Sequence, residues 1–225
     1  MKHLYYQLLT LVVFTCFLSC SQSEDPTYSC NKAENEWVKR HLSEIRTMSR
    51  AEWNYVDEGL KIPVYRAFTH QQRLDFWVSK FTDVLSLDWS DAEKQHISSL
   101  LETIKEHTNY LDGYENLSEA EKDEFDLFFY KWIEKSKEEF QWSKELIQGM
   151  IASGNTLLDK KGNLAISKNR MANMSYSESS TCNCSLSNDW CTPSNVYCEA
   201  VSCEETFLGC GTILAYNCTG RCGGI

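Results

Sequence analysis

Apolar residues recur at helical spacing through the first two thirds of the chain. Leu74, Trp77, Val78, Phe81 and Leu85 fall on one face of a helix, and Ile97, Leu100, Leu101, Ile104 and Leu111 on that of a second. Phe125, Phe128, Phe129, Trp132, Ile133 and Phe140 mark a third, whose pattern extends toward Ile147. Trp37, Val38, Leu42 and Ile45 lie on one side of an earlier helix. Capping boxes precede the three main series at Thr69/Gln72, Ser90/Glu93 and Ser118/Glu121, where a hydroxyl and a carboxylate or amide three residues on satisfy exposed N–H groups. A fourth, Ser49/Glu52, stands just ahead of Gly59 and Pro63, which limit any helix it starts. Breakers are scarce otherwise, with no proline between Pro63 and Pro193. Residues 31–152 are therefore expected to form an antiparallel bundle of three to five helices.

The pattern changes at both ends. Residues 153–181 are rich in Ser, Asn and Gly around Lys160-Lys161 and Arg170, and predict a flexible polar linker. Were this stretch an extension of the bundle, Leu157, Leu158, Leu164 and Ile166 would be the residues that dock. Its basic residues would suit a processing protease, since exposed polar segments are where nicking concentrates. At the other end, residues 1–19 carry Lys2 and then the apolar run Leu8 to Leu18, too short for a bilayer but suited to a signal peptide. Phe17-Leu18-Ser19-Cys20 resembles a bacterial lipobox, which implies lipid on Cys20 and a tether over 20–30; ordinary cleavage after Ser21 is the alternative. Glu24-Asp25 resembles the signals that route some lipoproteins to the outer surface. The expected address is the bacterial cell envelope, as an outer-membrane or surface lipoprotein, or else free secretion.

Eight of the 11 cysteines fall between Cys182 and Cys222, spaced C-x-C-x6-C-x6-C-x4-C-x6-C-x7-C-x3-C. A segment this short buries too little apolar surface to fold without covalent or metal support. Two four-cysteine zinc sites would use all eight thiols, yet C-x2-C pairs are absent and no histidine follows His107. An exported protein oxidises its thiols, so Cys182, Cys184, Cys191, Cys198, Cys203, Cys210, Cys218 and Cys222 are read as four disulfides, with every pairing left open by the spacing. Cys30 is left over, to stay a thiol, to join two chains in a dimer, or to exchange into the tail framework. Few helix signals occur in this tail; Gly209-Cys210-Gly211 and Gly220 mark turns, and Thr212 to Tyr216 is the best strand. The fold class expected is mainly α: an N-terminal helical bundle plus a small disulfide-rich C-terminal module, 182–225, with short β-strands.

Composition narrows the function. A formal charge of −10 argues against nucleic acid, whose affinity comes from cations on phosphates. His41, His70, His96 and His107 lie on expected helices without metal-ligand spacing, and are read as surface or capping residues; His107 suits a helix C-terminus. Nucleophile elbows, phosphate loops and dinucleotide fingerprints are missing, so neither an enzyme nor a cofactor is expected. In the tail, Asp189, Glu199, Glu204 and Glu205 face one cation, Arg221, unlike the basic composition of membrane-lytic peptides.

Cys182-x-Cys184, Cys191, Cys198, Cys203 and the block Gly209-Cys210-Gly211-Thr212 resemble fulvocin C, a small eight-cysteine bacteriocin, and the wider fulvocin C-related family of exported bacterial proteins. Cys218 and Cys222 stand further apart than the pair expected there. The likeness covers about the last fifth of the chain. It implies a bacteriocin-like protein whose stapled tail acts on other bacteria, with a target-cell surface component as partner and the bundle as carrier. The alternative is a surface-anchored binding lipoprotein, with the bundle as stalk and the tail as recognition head.

Overall fold

The structure is a computed structural model that describes residues 26–166, 181–193 and 195–223. The chain is mainly α, with short antiparallel strands in its cysteine-rich end. Among the described residues there are eight α-helices: α1 Lys32–Arg40, α2 Leu42–Ile45, α3 Arg50–Trp53, α4 Glu58–Ala67, α5 His70–Leu85, α6 Asp91–Glu106, α7 Glu119–Glu138 and α8 Lys144–Ile151. This exceeds the expected three to five because α2 and α3 are single turns, and because one aromatic series covers two helices. None of them is long and apolar enough to cross a membrane.

All four capping boxes form, at Ser49, Thr69, Ser90 and Ser118. Helices α5 and α6, joined by a short connection, pack along one another and bury Phe76, Trp77, Phe81 and Val84 with Ile97, Leu100 and Ile104. Helix α7 adds Phe125, Phe129 and Trp132. It does not continue toward Ile147. Gln141 takes a left-handed conformation, φ 55°, the Trp142 amide closes back onto the Ser136 carbonyl, and Ser143 caps a new helix, α8.

Helix α4 is enclosed on nearly every side: Leu60, Lys61, Pro63, Val64, Tyr65, Arg66 and Ala67 are all buried. A helix apolar on one stripe only would leave a wet face. Here part of the covering comes from the other end of the chain. Leu208, Ile213, Leu214, Ala215 and Tyr216 belong to the same hydrophobic core as Tyr65, Phe68 and Phe125.

Part of the segment read as a flexible linker is folded. Leu157 pairs with Leu164 in a small hairpin, the Ala165 amide donates to Thr156 O, and Leu157 is buried, while Leu158 and Ile166 stay exposed. Buried cations hold its approach: Arg50 donates to Gly154 O at 3.0 Å, Lys61 to Asn155 Oδ1 at 2.6 Å, and Lys80 to Asn155 O. Lys160 lies over the Trp89 ring and 3.1 Å from Glu93, so half of the basic doublet is bound to the bundle. Arg170 and the rest of the linker lie outside the described residues.

The tail forms two two-stranded antiparallel sheets. β1 Tyr197–Glu199 pairs with β4 Arg221–Gly223, and β2 Thr206–Cys210 with β3 Tyr216–Cys218. The expected strand Thr212–Tyr216 is instead a 3-10 turn over Thr212–Leu214, with Ile213 at φ 48° and Leu214 at φ 55°, and only Tyr216 enters β3. These apolar residues turn inward to the bundle core rather than lying along a ladder. Positive φ at a β-branched residue such as Ile213 persists only where its surroundings over-determine it.

Candidate functional site at the junction of helix and tail

The eight tail cysteines pair as Cys182–Cys203, Cys184–Cys198, Cys191–Cys222 and Cys210–Cys218. Cys20 lies outside the described residues. Cys30 stands outside the four disulfides, half-buried rather than on a free tether, with its Sγ 3.4 Å from the Glu205 carbonyl of the tail.

The block Gly209-Cys210-Gly211-Thr212 does more than turn the chain. Gly209, at φ +109°, sits where a Cβ would come within 2.5 Å of Ile62 Cγ2 on α4. Gly211, at φ +70°, lets the chain pass the Tyr216 ring. Thr212 is fully buried; Asn188 Oδ1 accepts from its amide at 2.7 Å, and its Oγ1 accepts from Trp190 Nε1 at 3.0 Å. The motif is a docking surface for α4.

Arg66, in the last turn of α4, clamps this surface. Its Nε donates to Phe207 O and Leu208 O, each at 2.8 Å; Nη1 donates to Tyr28 O at 3.0 Å, and Nη2 reaches Thr206 Oγ1. On the far side Tyr114 stacks on Tyr216 with centroids 4.4 Å apart, and Asp126 accepts from Tyr114 at 2.6 Å and Tyr216 at 3.2 Å. Burial, with Asp126 beside them, pushes both phenols well above the usual tyrosine range, so they remain donors.

Beside the clamp is a cleft of about 210 Å³ lined by Ser29, Glu34, Ile62, Pro63, Arg66, Cys182 and Gly209, among other residues. Its walls join three parts of the chain: the segment before α1, helix α4 and the tail. Glu34 is 8% exposed, and Ser29 Oγ donates to its Oε2 at 2.6 Å. Burial raises the Glu34 carboxyl above its ordinary value, opposed by the Ser29 hydrogen bond and by Arg66. Such a site can seat a small, largely apolar molecule with one donor or cationic group directed at Glu34. Sequence reading missed Ser29, Glu34 and Arg66. Only the helix cap at Asn31, which also holds the Ala33 and Glu34 amides, leaves a local trace.

The histidines divide. His107 is the C-terminal cap of α6, His41 stacks on Trp37, and His70 pairs with Asp112. His96 departs from the surface reading: it is buried, stacked on Trp132 at 4.6 Å, and its Nε2 lies 2.9 Å from Ser136 Oγ. Burial pulls its pKa down to about 4, which keeps the ring neutral as a core residue.

Comparison with protein-family models, characterised proteins and solved structures found no match for the chain.

Proposed function

We propose that this is an exported envelope protein, held at the bacterial surface through lipid on Cys20, in which bundle and disulfide tail work as one binding body. The recognition element in this reading is the cleft around Ser29, Glu34 and Arg66. The observation that carries it is the shared core: the tail places Leu208, Ile213, Leu214, Ala215 and Tyr216 among the bundle's own buried residues. Exposing each large side chain of this kind costs ~1.5–3 kcal/mol, so a head that acts alone would surrender much of its own support.

A second reading is the bacteriocin-like one, favoured by the fulvocin C-like cysteine spacing and by four disulfides within so short a tail. Here the active species is the intact chain, or a cleaved chain whose halves stay together, directed at a surface component of a competing cell.

The two readings part on one experiment. A specific protease site is introduced between residues 167 and 180 of the full chain, cut under oxidising conditions, and the products are run on native size exclusion and applied to neighbouring bacteria. Co-elution of the cut halves without growth inhibition supports the single binding body. Growth inhibition by the intact chain or by the co-eluting halves refutes it in favour of the bacteriocin.

A further inference from the structure

Cys184, Cys191, Cys198 and Cys222 form a cluster that the pairing alone does not reveal. The Sγ atoms of Cys184, Cys191 and Cys198 all lie within 4.8 Å of one another, although they belong to two different disulfides, and Cys222 is bonded to Cys191. Three sulfurs from two bridges thus share one site, and the fourth, Cys222, is bonded to one of them.

The backbones of these residues are fixed by bonds that do not pass through sulfur. Asp189 accepts from the Cys191 amide at 2.7 Å through Oδ1 and from the Cys198 amide at 3.0 Å through Oδ2. Asn183 Oδ1 accepts from the Cys222 amide at 2.9 Å. Cys184 exchanges amide–carbonyl bonds with Gly220, each at 3.1 Å. Cys198 stands opposite Cys222 in the β1–β4 ladder. Opening both disulfides would leave the four Cα atoms pinned around the same centre.

A tetrahedral zinc–thiolate site has Zn–S bonds of ~2.3 Å, which places its sulfurs ~3.8 Å apart. The three sulfurs gathered within 4.8 Å reach that spacing by side-chain rotation, and Cys222, opposite Cys198 in the β1–β4 ladder, supplies the fourth once its bond to Cys191 opens. Soft thiolates select zinc or copper(I) over magnesium or calcium.

We propose that these four cysteines are a dual-state site: two disulfides when oxidised, and a single four-thiolate site for one zinc ion when reduced. The reductant is a low-molecular-weight thiol. Each bridge takes two electrons and two protons from two thiol molecules, which leave as their own disulfide, and yields two Cys–SH groups. Zinc then displaces four protons and forms four Zn–S bonds. The two states exclude each other, because a sulfur shared in a disulfide is no longer a thiolate, and either one closes this end of the tail. Cys182, Cys203, Cys210 and Cys218 are outside the cluster, and the proposal is independent of any ligand at Glu34.

The test uses the full chain reduced with a phosphine, incubated with or without zinc chloride, alkylated, and mapped cysteine by cysteine by mass spectrometry. Zinc is expected to shield Cys184, Cys191, Cys198 and Cys222 while Cys30, Cys182, Cys203, Cys210 and Cys218 react equally in both samples. Cys191→Ser should lose the shielding and weaken zinc binding by at least the ~10–100-fold that an outer-shell loss alone produces. Cys203→Ser should retain both. Alkylation that ignores zinc, shielding spread evenly over all the cysteines, or equal weakening by the two substitutions would overturn the proposal; a reduced tail that loses its fold gives one of these patterns.

Discussion

The guanidinium Nε of Arg66 lies 2.8 Å from the carbonyl oxygen of Leu208, which follows it by 142 residues. The bond is buried and ties the end of one helix to a strand in the cysteine-rich tail. Arg66→Met keeps much of the volume and removes the donors to Tyr28, Phe207, Leu208 and Thr206. With ~1–3 kcal/mol for each acceptor left unsatisfied, the variant should lose about 3 kcal/mol or more in urea unfolding. Hydrogen exchange should speed up first in β2. Unchanged exchange there would mean the clamp is dispensable.

Gly209→Ala tests the close approach of tail and helix. The new methyl must displace Ile62, and the backbone must hold a φ that non-glycine residues rarely adopt. A loss of about 2 kcal/mol or more is expected. Adding Ile62→Ala should return part of it, with a coupling of ~0.5–3 kcal/mol in a double-mutant cycle. Strict additivity would place the cost elsewhere.

His96 should make the fold sensitive to acid. Its folded pKa of about 4 lies below the ordinary 6.5, so the unfolded chain binds the proton first and stability falls as pH drops from 6.5 towards 4. His96→Phe preserves a ring against Trp132 and removes the titration. Melting temperature measured across this window should decline less steeply in the variant than in the native chain.

Lys80 is fully buried, and burial first, then Arg50, holds its amine well below the ordinary 10.5. The unfolded chain again binds the proton more tightly, so native stability gains as pH rises toward 10.5 and the penalty vanishes above it. Lys80→Met should be the more stable protein at neutral pH by ~1–4 kcal/mol, despite the lost bond to Asn155, and the advantage should shrink as pH climbs. Chemical denaturation at pH 7 and pH 10 checks both the sign and the trend.

The sequence was most informative where structure is set locally. Ser49, Thr69, Ser90 and Ser118 each begin a helix because cap and partner lie three residues apart, and the apolar series of α5 and α6 face inward at their own period. It was least informative where distant parts meet. Thr212–Tyr216 has strand composition, but its apolar side chains are taken up by the bundle, which bends the backbone into a turn. Asn155 sits in a polar stretch and is nonetheless captured by Lys61 and Lys80. Nothing near Arg66 announces that it will face the tail, because Thr206, Phe207 and Leu208 are separated from it by most of the chain.

The enclosure of α4 also sets an order of events. A growing chain emerges N-terminus first, so α4 is complete long before the residues that cover it exist. The Tyr65 hydroxyl and the Ile213 carbonyl, 3.5 Å apart, are separated by 148 residues, the kind of long closure that slows folding. Until Leu208 to Tyr216 arrive, the helices form a core with one wall missing. A chain that stops before Leu208 therefore lacks that wall as well as Cys210, Cys218 and Cys222, and premature termination becomes a packing defect that a quality-control protease can sense.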